Sequence, residues 1–339
     1  MTIDLRSDTV TRPTPAMMEA MMHAEVGDDV FQEDGSVNKL ELMAAKMFGM
    51  EAALYCPTGT MSNQIAIRVH TQPGDEVICD RTAHVYQYEG GGIACNSGAQ
   101  VKLIDGERGR ISAEAIVYSI NPDDVHKAHT SLVCLENTSN RGGGSCYDLQ
   151  GIANIRTVCD DHSLSLHLDG ARLFNALIAK KETPQQYGRL FHSISVCLNK
   201  GLGCPIGSIL IGETSFIKKA RRIRKVFGGG LRQAGYMAAA GIYALENNVE
   251  RLGQDHLHAK KIANALQKKE FTDQILPVET NIIIFSIKPP GSAEDIVQKL
   301  KNEDILTFAI SARQIRMVLH LDITPVMSEY IVEVISNLS

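Results

Sequence analysis

Two hydrophobic rhythms alternate along the chain. Short, almost unbroken apolar runs bounded by turn residues recur at 53–56, 75–79, 100–104, 130–135, 165–168, 193–198 and 207–211. Runs of that length, apolar at nearly every position, suit strands covered on both faces. Between them lie stretches with apolar residues three and four apart, over 36–48, 60–70, 148–162 and 216–225, which predict amphipathic helices. Strand alternating with helix predicts an α/β fold, with a mainly parallel sheet covered by helices on both faces.

After Gly230 the rhythm changes. One long helical stretch is expected over 232–266, then a strand-rich tail with runs at 281–287 and 315–321. A chain of 339 residues exceeds the size at which a single core usually keeps growing. The expectation is therefore a large domain over residues 1–251 and a smaller C-terminal α/β domain over 252–339. In open sheets of this kind ligands sit beyond the carboxyl ends of the strands, so polar residues just after strands carry the functional signal.

Composition adds exclusions. Apolar residues at 44% and charged residues at 22% describe an ordinary folded protein. A net charge of −5 provides no basic field for nucleic acid, and 221–225 is the one dense positive run. The opening Met1-Thr-Ile-Asp-Leu-Arg6 carries charges where a secretion signal needs an apolar core, and no stretch approaches a membrane span. A cytoplasmic protein without nucleic-acid or membrane partners is expected. The eight cysteines show neither a Cys-x-x-Cys pair nor metal-ligand spacing, so reduced core thiols and no metal are expected.

The chemistry concentrates at two strand ends, Leu166-His-Leu-Asp-Gly-Ala-Arg172 and Ser193-Ile-Ser-Val-Cys-Leu-Asn-Lys-Gly201. A pyridoxal cofactor needs a lysine amine for its aldehyde and a carboxylate that keeps the ring nitrogen protonated. Lys200 and Asp169 supply both. Taken singly, each has a plainer reading, as a solvated lysine after a strand and an aspartate starting a helix. Together, one helix-length apart, they favour pyridoxal 5'-phosphate.

Cys56-Pro-Thr-Gly-Thr-Met-Ser-Asn63 leads from a strand into a helix, which suits phosphate at the helix N-terminus around Gly59 and Thr60, or a simple cap by Thr58 or Thr60. It is neither a Walker loop nor Gly-x-Gly-x-x-Gly, which counts against a nucleotide. A second glycine run, 224–235, offers Lys225 and Arg232 to an anion, or serves as an interdomain hinge. His84 lies in a polar-aromatic cluster with Tyr86, Tyr88 and Glu89, where an imidazole stacks on a flat cofactor or is merely structural. Arg172 and Arg316 offer a planar fork for a substrate carboxylate, with surface ion pairs as the alternative.

Longer runs then tie these motifs together: Asp4-Leu-Arg-Ser-Asp-Thr-Val-Thr11, Gly59-Thr-Met-Ser-Asn63, Ala83-His-Val-Tyr86, Leu135-Glu-Asn-Thr138, Leu166 to Ala176, Lys200-Gly-Leu-Gly203, Gly228 to Gly235 and His320-Leu-Asp322. In this order they resemble the low-specificity L-threonine aldolases, pyridoxal-phosphate enzymes of fold type I within the wider β-eliminating-lyase family. The resemblance implies that Lys200 carries the cofactor covalently, Asp169 pairs with its ring nitrogen, His84 stacks on the ring, and Gly59 and Thr60 hold the phosphate. It assigns Ser7, Arg172 and Arg316 to the substrate carboxylate, so the N-terminal segment contributes to the active site, and it also counts Arg172 with the cofactor contacts. Lys225 and Arg232 would reach the cofactor of a neighbouring subunit, which implies a dimer with shared active sites or a homotetramer built from such dimers.

The implied activity is retro-aldol cleavage of β-hydroxy-α-amino acids, L-threonine or L-allo-threonine giving glycine and acetaldehyde. β-Elimination or transamination on the same scaffold, and a catalytically weak cofactor-binding protein, are the alternatives. Two departures bear on this. Glu136-Asn-Thr-Ser-Asn140 has Ser139 where the family commonly has a histidine at the substrate hydroxyl, and Phe31-Gln-Glu-Asp-Gly35 replaces Tyr-Gly-Glu-Asp-Pro. Serine does not titrate near neutrality, so removal of the hydroxyl proton falls to His84 through water, or to solvent.

Overall fold

The computed structural model describes residues 2–338; Met1 and Ser339, the outer limits of the two expected domains, lie outside them. The apolar runs become seven strands: β1 (Ala52–Cys56), β2 (Glu76–Asp80), β3 (Gln100–Ile104), β4 (Thr130–Glu136), β5 (Ser165–Gly170), β6 (Ser193–Cys197) and β7 (Ser208–Gly212). They form one sheet in the order β1-β7-β6-β5-β4-β2-β3. β7 runs antiparallel to both β1 and β6, and the remaining neighbours pair in parallel. β2, β4, β6 and β7 are buried at every position, as two-sided cover requires, whereas the edge strand β3 mixes exposed and covered positions.

Helices follow where the three-and-four spacing places them: α1 (Gly35–Phe48), α2 (Gly59–His70), α3 (Leu149–Asp161), α4 (Leu173–Lys180) and α5 (Thr214–Val226). Asp34, Thr58 and Asp148 cap α1, α2 and α3 by accepting a first-turn amide, which fixes where each helix starts. The expected single helix over 232–266 is in fact two, α6 (Gly235–Asn247) and α7 (Leu252–Leu266). The reason is tertiary. Between them Asn248 Nδ2 donates to the Leu202 carbonyl at 2.8 Å and Arg251 Nη1 to the Gly201 carbonyl at 3.4 Å, so the break serves the loop that carries Lys200.

The tail forms an antiparallel sheet in the order β10-β11-β9-β8, from β8 (Thr272–Ile275), β9 (Ile282–Ile287), β10 (Phe308–Ser311) and β11 (Gln314–Val318). Helices α8 (Ala293–Asn302) and α9 (Pro325–Asn337) contribute apolar residues to its core, as does α7. The first residues of the chain belong to the same core. Ile3 and Leu5 are buried in it, and Ile3–Asp4 pairs in parallel with Ile305–Leu306. The N-terminus is thereby led across to the sheet ends, where residues 6–8 continue.

Candidate active site

Asp169 sits near the carboxyl end of β5, 2% exposed, with Oδ1 accepting the Ala171 amide at 3.0 Å and Oδ2 accepting Asn63 Nδ2 at 2.9 Å. On the neighbouring strand, β6 ends at Cys197, and the loop after it brings Lys200 Nζ back to 3.5 Å from Cys197 Sγ. Gly203, at φ 82°, allows that loop to turn, and a Cβ there would stand 2.8 Å from Leu321.

His84 opens a short helical turn after β2. Its backbone N–H donates to Glu136 Oε2 at 2.7 Å, and its Nδ1 lies 2.9 Å from Glu89 Oε1. Burial opposes charging the ring, but the Glu89 hydrogen bond and the nearby Asp169 charge outweigh it and hold the His84 pKa above the ordinary value. Lys200 is close enough for its charge to act on His84 in the opposite sense. Atoms of His84, Glu89 and Asp169 lie within 4.8 Å of one another. A cation would fit such a triangle by charge, yet Asn63 Nδ2 already bridges the two carboxylates at 2.9 Å to each.

Glu136 is paired in register with Asp169 across β4 and β5 and buried. Burial first, then the Asp169 charge, push its carboxyl up to about 7. Its second oxygen accepts the Asn140 amide at 2.8 Å, and the Asn140 side chain in turn accepts Arg316 Nη1 at 2.9 Å. Arg316 Nη2 donates to the Arg6 carbonyl at 3.0 Å, while its Nε is buried without a partner among the described residues. Burial, then the neighbouring Arg172 charge, lower the Arg316 pKa to about 10.

Arg172 is not a surface ion pair. Its Nε and Nη2 each donate to Asp8 at 2.7 Å, and both side chains are buried. Ser7, beside Asp8, accepts the Thr9 amide at 3.2 Å and is partly exposed. Residues 6–8 thus run between Arg172 and Arg316, which brings the three expected carboxylate contacts to one place.

At the start of α2, Thr58 Oγ1 accepts the Met61 amide and the Thr58 carbonyl accepts Ser62, leaving the Gly59 and Thr60 amides without an intrahelical partner. A Cβ on Gly59 would stand 2.5 Å from Cys197 Sγ, so only glycine lets this turn close on the Lys200 loop. The glycine run is adjacent, Gly229 packing against Met61. Lys225 is exposed, its ammonium with no hydrogen bond or ion pair among the described residues, and Arg232 is exposed and bonded to Asp28 at 2.8 Å.

Ser139, expected among the substrate contacts, directs its hydroxyl to its own turn. It is 2% exposed, its Oγ accepts the Gly142 amide at 3.2 Å, and it is packed tightly against Gly109. Sequence reasoning did not assign Asp8, Asn63, Glu89, Glu136 or Asn140. Each stands inside or beside a quoted motif, but apart from Glu89, five residues from His84, its role depends on a partner far along the chain, 164 residues away for Asp8 and 106 for the contact of Asn63 with Asp169. All eight cysteines are free; seven are buried, as core thiols should be, and Cys95 is exposed instead. Among the described residues no helix is long and apolar enough to cross a membrane.

A lysine amine, an ionisable carboxylate, an imidazole and free helix amides match the chemical demands of pyridoxal phosphate at its aldehyde, ring nitrogen, ring face and phosphate. Among solved structures, the threonine aldolase of Leishmania major has the same architecture, with a TM-score of 0.85 over 98% of both chains at 20% identity. The class so defined is the fold-type I pyridoxal-phosphate enzymes. The chain belongs to the beta-eliminating lyase family, whose model matches residues 4–289. The low-specificity L-threonine aldolase 1 of Arabidopsis thaliana is 42% identical over 329 residues, covering 95% of this chain and 92% of that protein. The low specificity L-threonine aldolase of Escherichia coli is 41% identical over 323 residues, covering 95% of each.

Proposed function

We propose that this protein is a pyridoxal-phosphate-dependent aldehyde-lyase that cleaves L-threonine, and L-allo-threonine, to glycine and acetaldehyde. The observation that carries the reading is the convergence of Lys200, Asp169 and His84 beyond neighbouring strand ends, in a chain about 41% identical to threonine aldolases along most of its length. Lys200 would hold the cofactor's aldehyde, Asp169 its ring nitrogen, His84 its ring face, and the Gly59 and Thr60 amides its phosphate. When bound, the cofactor supplies a sink for the electron pair left on Cα as the Cα–Cβ bond breaks.

The chain's own residues do the rest. Arg316, with its buried and unpartnered Nε, and Arg172, held rigid by Asp8, receive the substrate carboxylate beside Ser7. Cleavage requires removal of the β-hydroxyl proton. Ser139 does not take up a proton near neutrality, so the proton passes to His84, directly or through water. Glu89 at Nδ1 orients that ring and leaves Nε2 to accept the proton.

The reading includes an assembly of subunits that share sites through Lys225 and Arg232, a cytoplasmic location, and a division of the chain near Leu252 into a cofactor part and a smaller part. Incubating the cofactor-loaded protein with each threonine diastereomer while following acetaldehyde tests the activity. Absence of product from both sinks it.

A further inference from the structure

A row of buried polar groups crosses the sheet behind the site, and the cleavage proposed above does not use it. Asn63 and His70 are two turns apart on α2 and share a face. His167 and Asp169 are two apart on β5 and share a face of the sheet, and Ser193 on β6 is in register with His167. His70 Nε2 lies 2.8 Å from Ser193 Oγ, and Ser193 Oγ lies 2.8 Å from His167 Nδ1. His167 Nε2 lies 3.2 Å from Asn63 Oδ1, and Asn63 Nδ2 lies 2.9 Å from both Asp169 Oδ2 and Glu89 Oε1. His167 and Ser193 are wholly buried.

The protons fit this row in one way. Carboxylates accept, so the Asn63 atom between them is its amide nitrogen, with both hydrogens in use. Asn63 Oδ1 must then accept, which places a hydrogen on His167 Nε2. Burial lowers the His167 pKa to about 4, against the pull of Asp169, and the His70 pKa to about 3, so each ring is neutral and carries one N–H. His167 Nδ1 is therefore bare and accepts from the Ser193 hydroxyl, whose oxygen accepts from His70 Nε2–H.

We infer that His70, Ser193, His167 and Asn63 form a hydrogen-bond chain of fixed polarity, every member donating toward Asp169, and that they are positioning residues for that carboxylate. A row of donors aimed one way stabilises negative charge at its end, and its members polarise one another. The carboxylate so favoured is the one that would keep the cofactor's ring nitrogen protonated. The purpose rests on the cofactor reading above; the polarity does not. Asn63 also holds Glu89 against Asp169, and so ties the ring partner of His84 to the same chain.

The full-length protein labelled with 15N at histidine, with and without cofactor, reads the polarity directly. Solvent-protected downfield imidazole N–H signals are expected from His70 and His167, both on Nε2, and single-histidine substitutions distinguish them from those of His84, His256 and His320. Ser193→Ala should remove the His70 signal and leave that of His167. An N–H on Nδ1 of either ring, a charged ring near neutral pH, or a His70 signal unmoved by Ser193→Ala overturns the inference.

For the loaded enzyme, His167→Leu should lower kcat about 2- to 10-fold with KM little changed, the equivalent of one hydrogen bond between neutral groups. His167→Gln, which can still present an amide to Asn63, should recover most of the loss. Equal losses in both variants, or a change in KM alone, would show a merely structural role. If the NMR pattern holds and the wild-type protein cleaves neither threonine, the substrate reading fails alone.

Discussion

His84 owes its properties to Glu89, a fully covered carboxylate five residues on. As the proposed proton acceptor it would work unprotonated, so kcat/KM should rise with pH through a midpoint above 6.5, the ordinary histidine value. Glu89→Gln removes a raising influence while burial remains, so the midpoint should fall; a pH–rate profile checks both. Ser139 lends itself to the reverse experiment. Restoring the family's histidine by Ser139→His should not raise activity, because Gly109 already closes on the serine and the larger side chain would overpack the turn. A loss of about 1–3 kcal/mol in stability by denaturant unfolding is expected.

At the scale of elements, the break between α6 and α7 gives Asn248 and Arg251 to the loop after β6. Asn248→Ala would leave the Leu202 carbonyl without its partner and should cost about 1–3 kcal/mol, measured as a lower unfolding midpoint, with faster cofactor loss. This break also marks where the sequence is silent. Apolar residues three and four apart run through 232–266 without a proline, so periodicity predicts one helix. What divides it is a contact with carbonyls more than forty residues upstream, and local spacing carries no trace of that. The inner strands of the large sheet were legible because two-sided burial makes their runs apolar in any context, and the edge strand β3 by its alternation of apolar and polar residues. The two-residue strand Ile3–Asp4 was not, since its partner, Ile305–Leu306, is equally short and hundreds of positions away.

The site as a whole was legible in its reactive groups and not in what holds them. Lys200, Asp169, His84, Gly59 and Thr60 follow strands or open helices, positions at which a polar residue stands out against apolar neighbours. Asp8, Glu89 and Glu136 are acids that a sequence reader assigns to the surface; only folding shows them covered and paired. Lys225 raises the remaining question, because within one chain it is exposed and without a partner among the described residues. If it serves a neighbouring subunit's cofactor, mixing Lys200→Ala and Lys225→Ala proteins, each inactive alone, should restore about a quarter of wild-type activity, since each mixed pair regains one intact site. No recovery on mixing would place Lys225 in its own subunit's site or in none.

The pairing of Ile3–Asp4 with Ile305–Leu306 also sets a schedule for the molecule's birth. During synthesis the segment bearing Ser7 and Asp8 emerges well before the strand that seats it, Ile305–Leu306. Arg172 can meet Asp8 early, but the proposed carboxylate pocket closes only after Arg316 and the tail have left the ribosome. A nascent chain stopped short of residue 305 would thus carry Lys200 and Asp169 without the segment that seats Ser7, and competence would arrive in one step with the tail rather than grow with length.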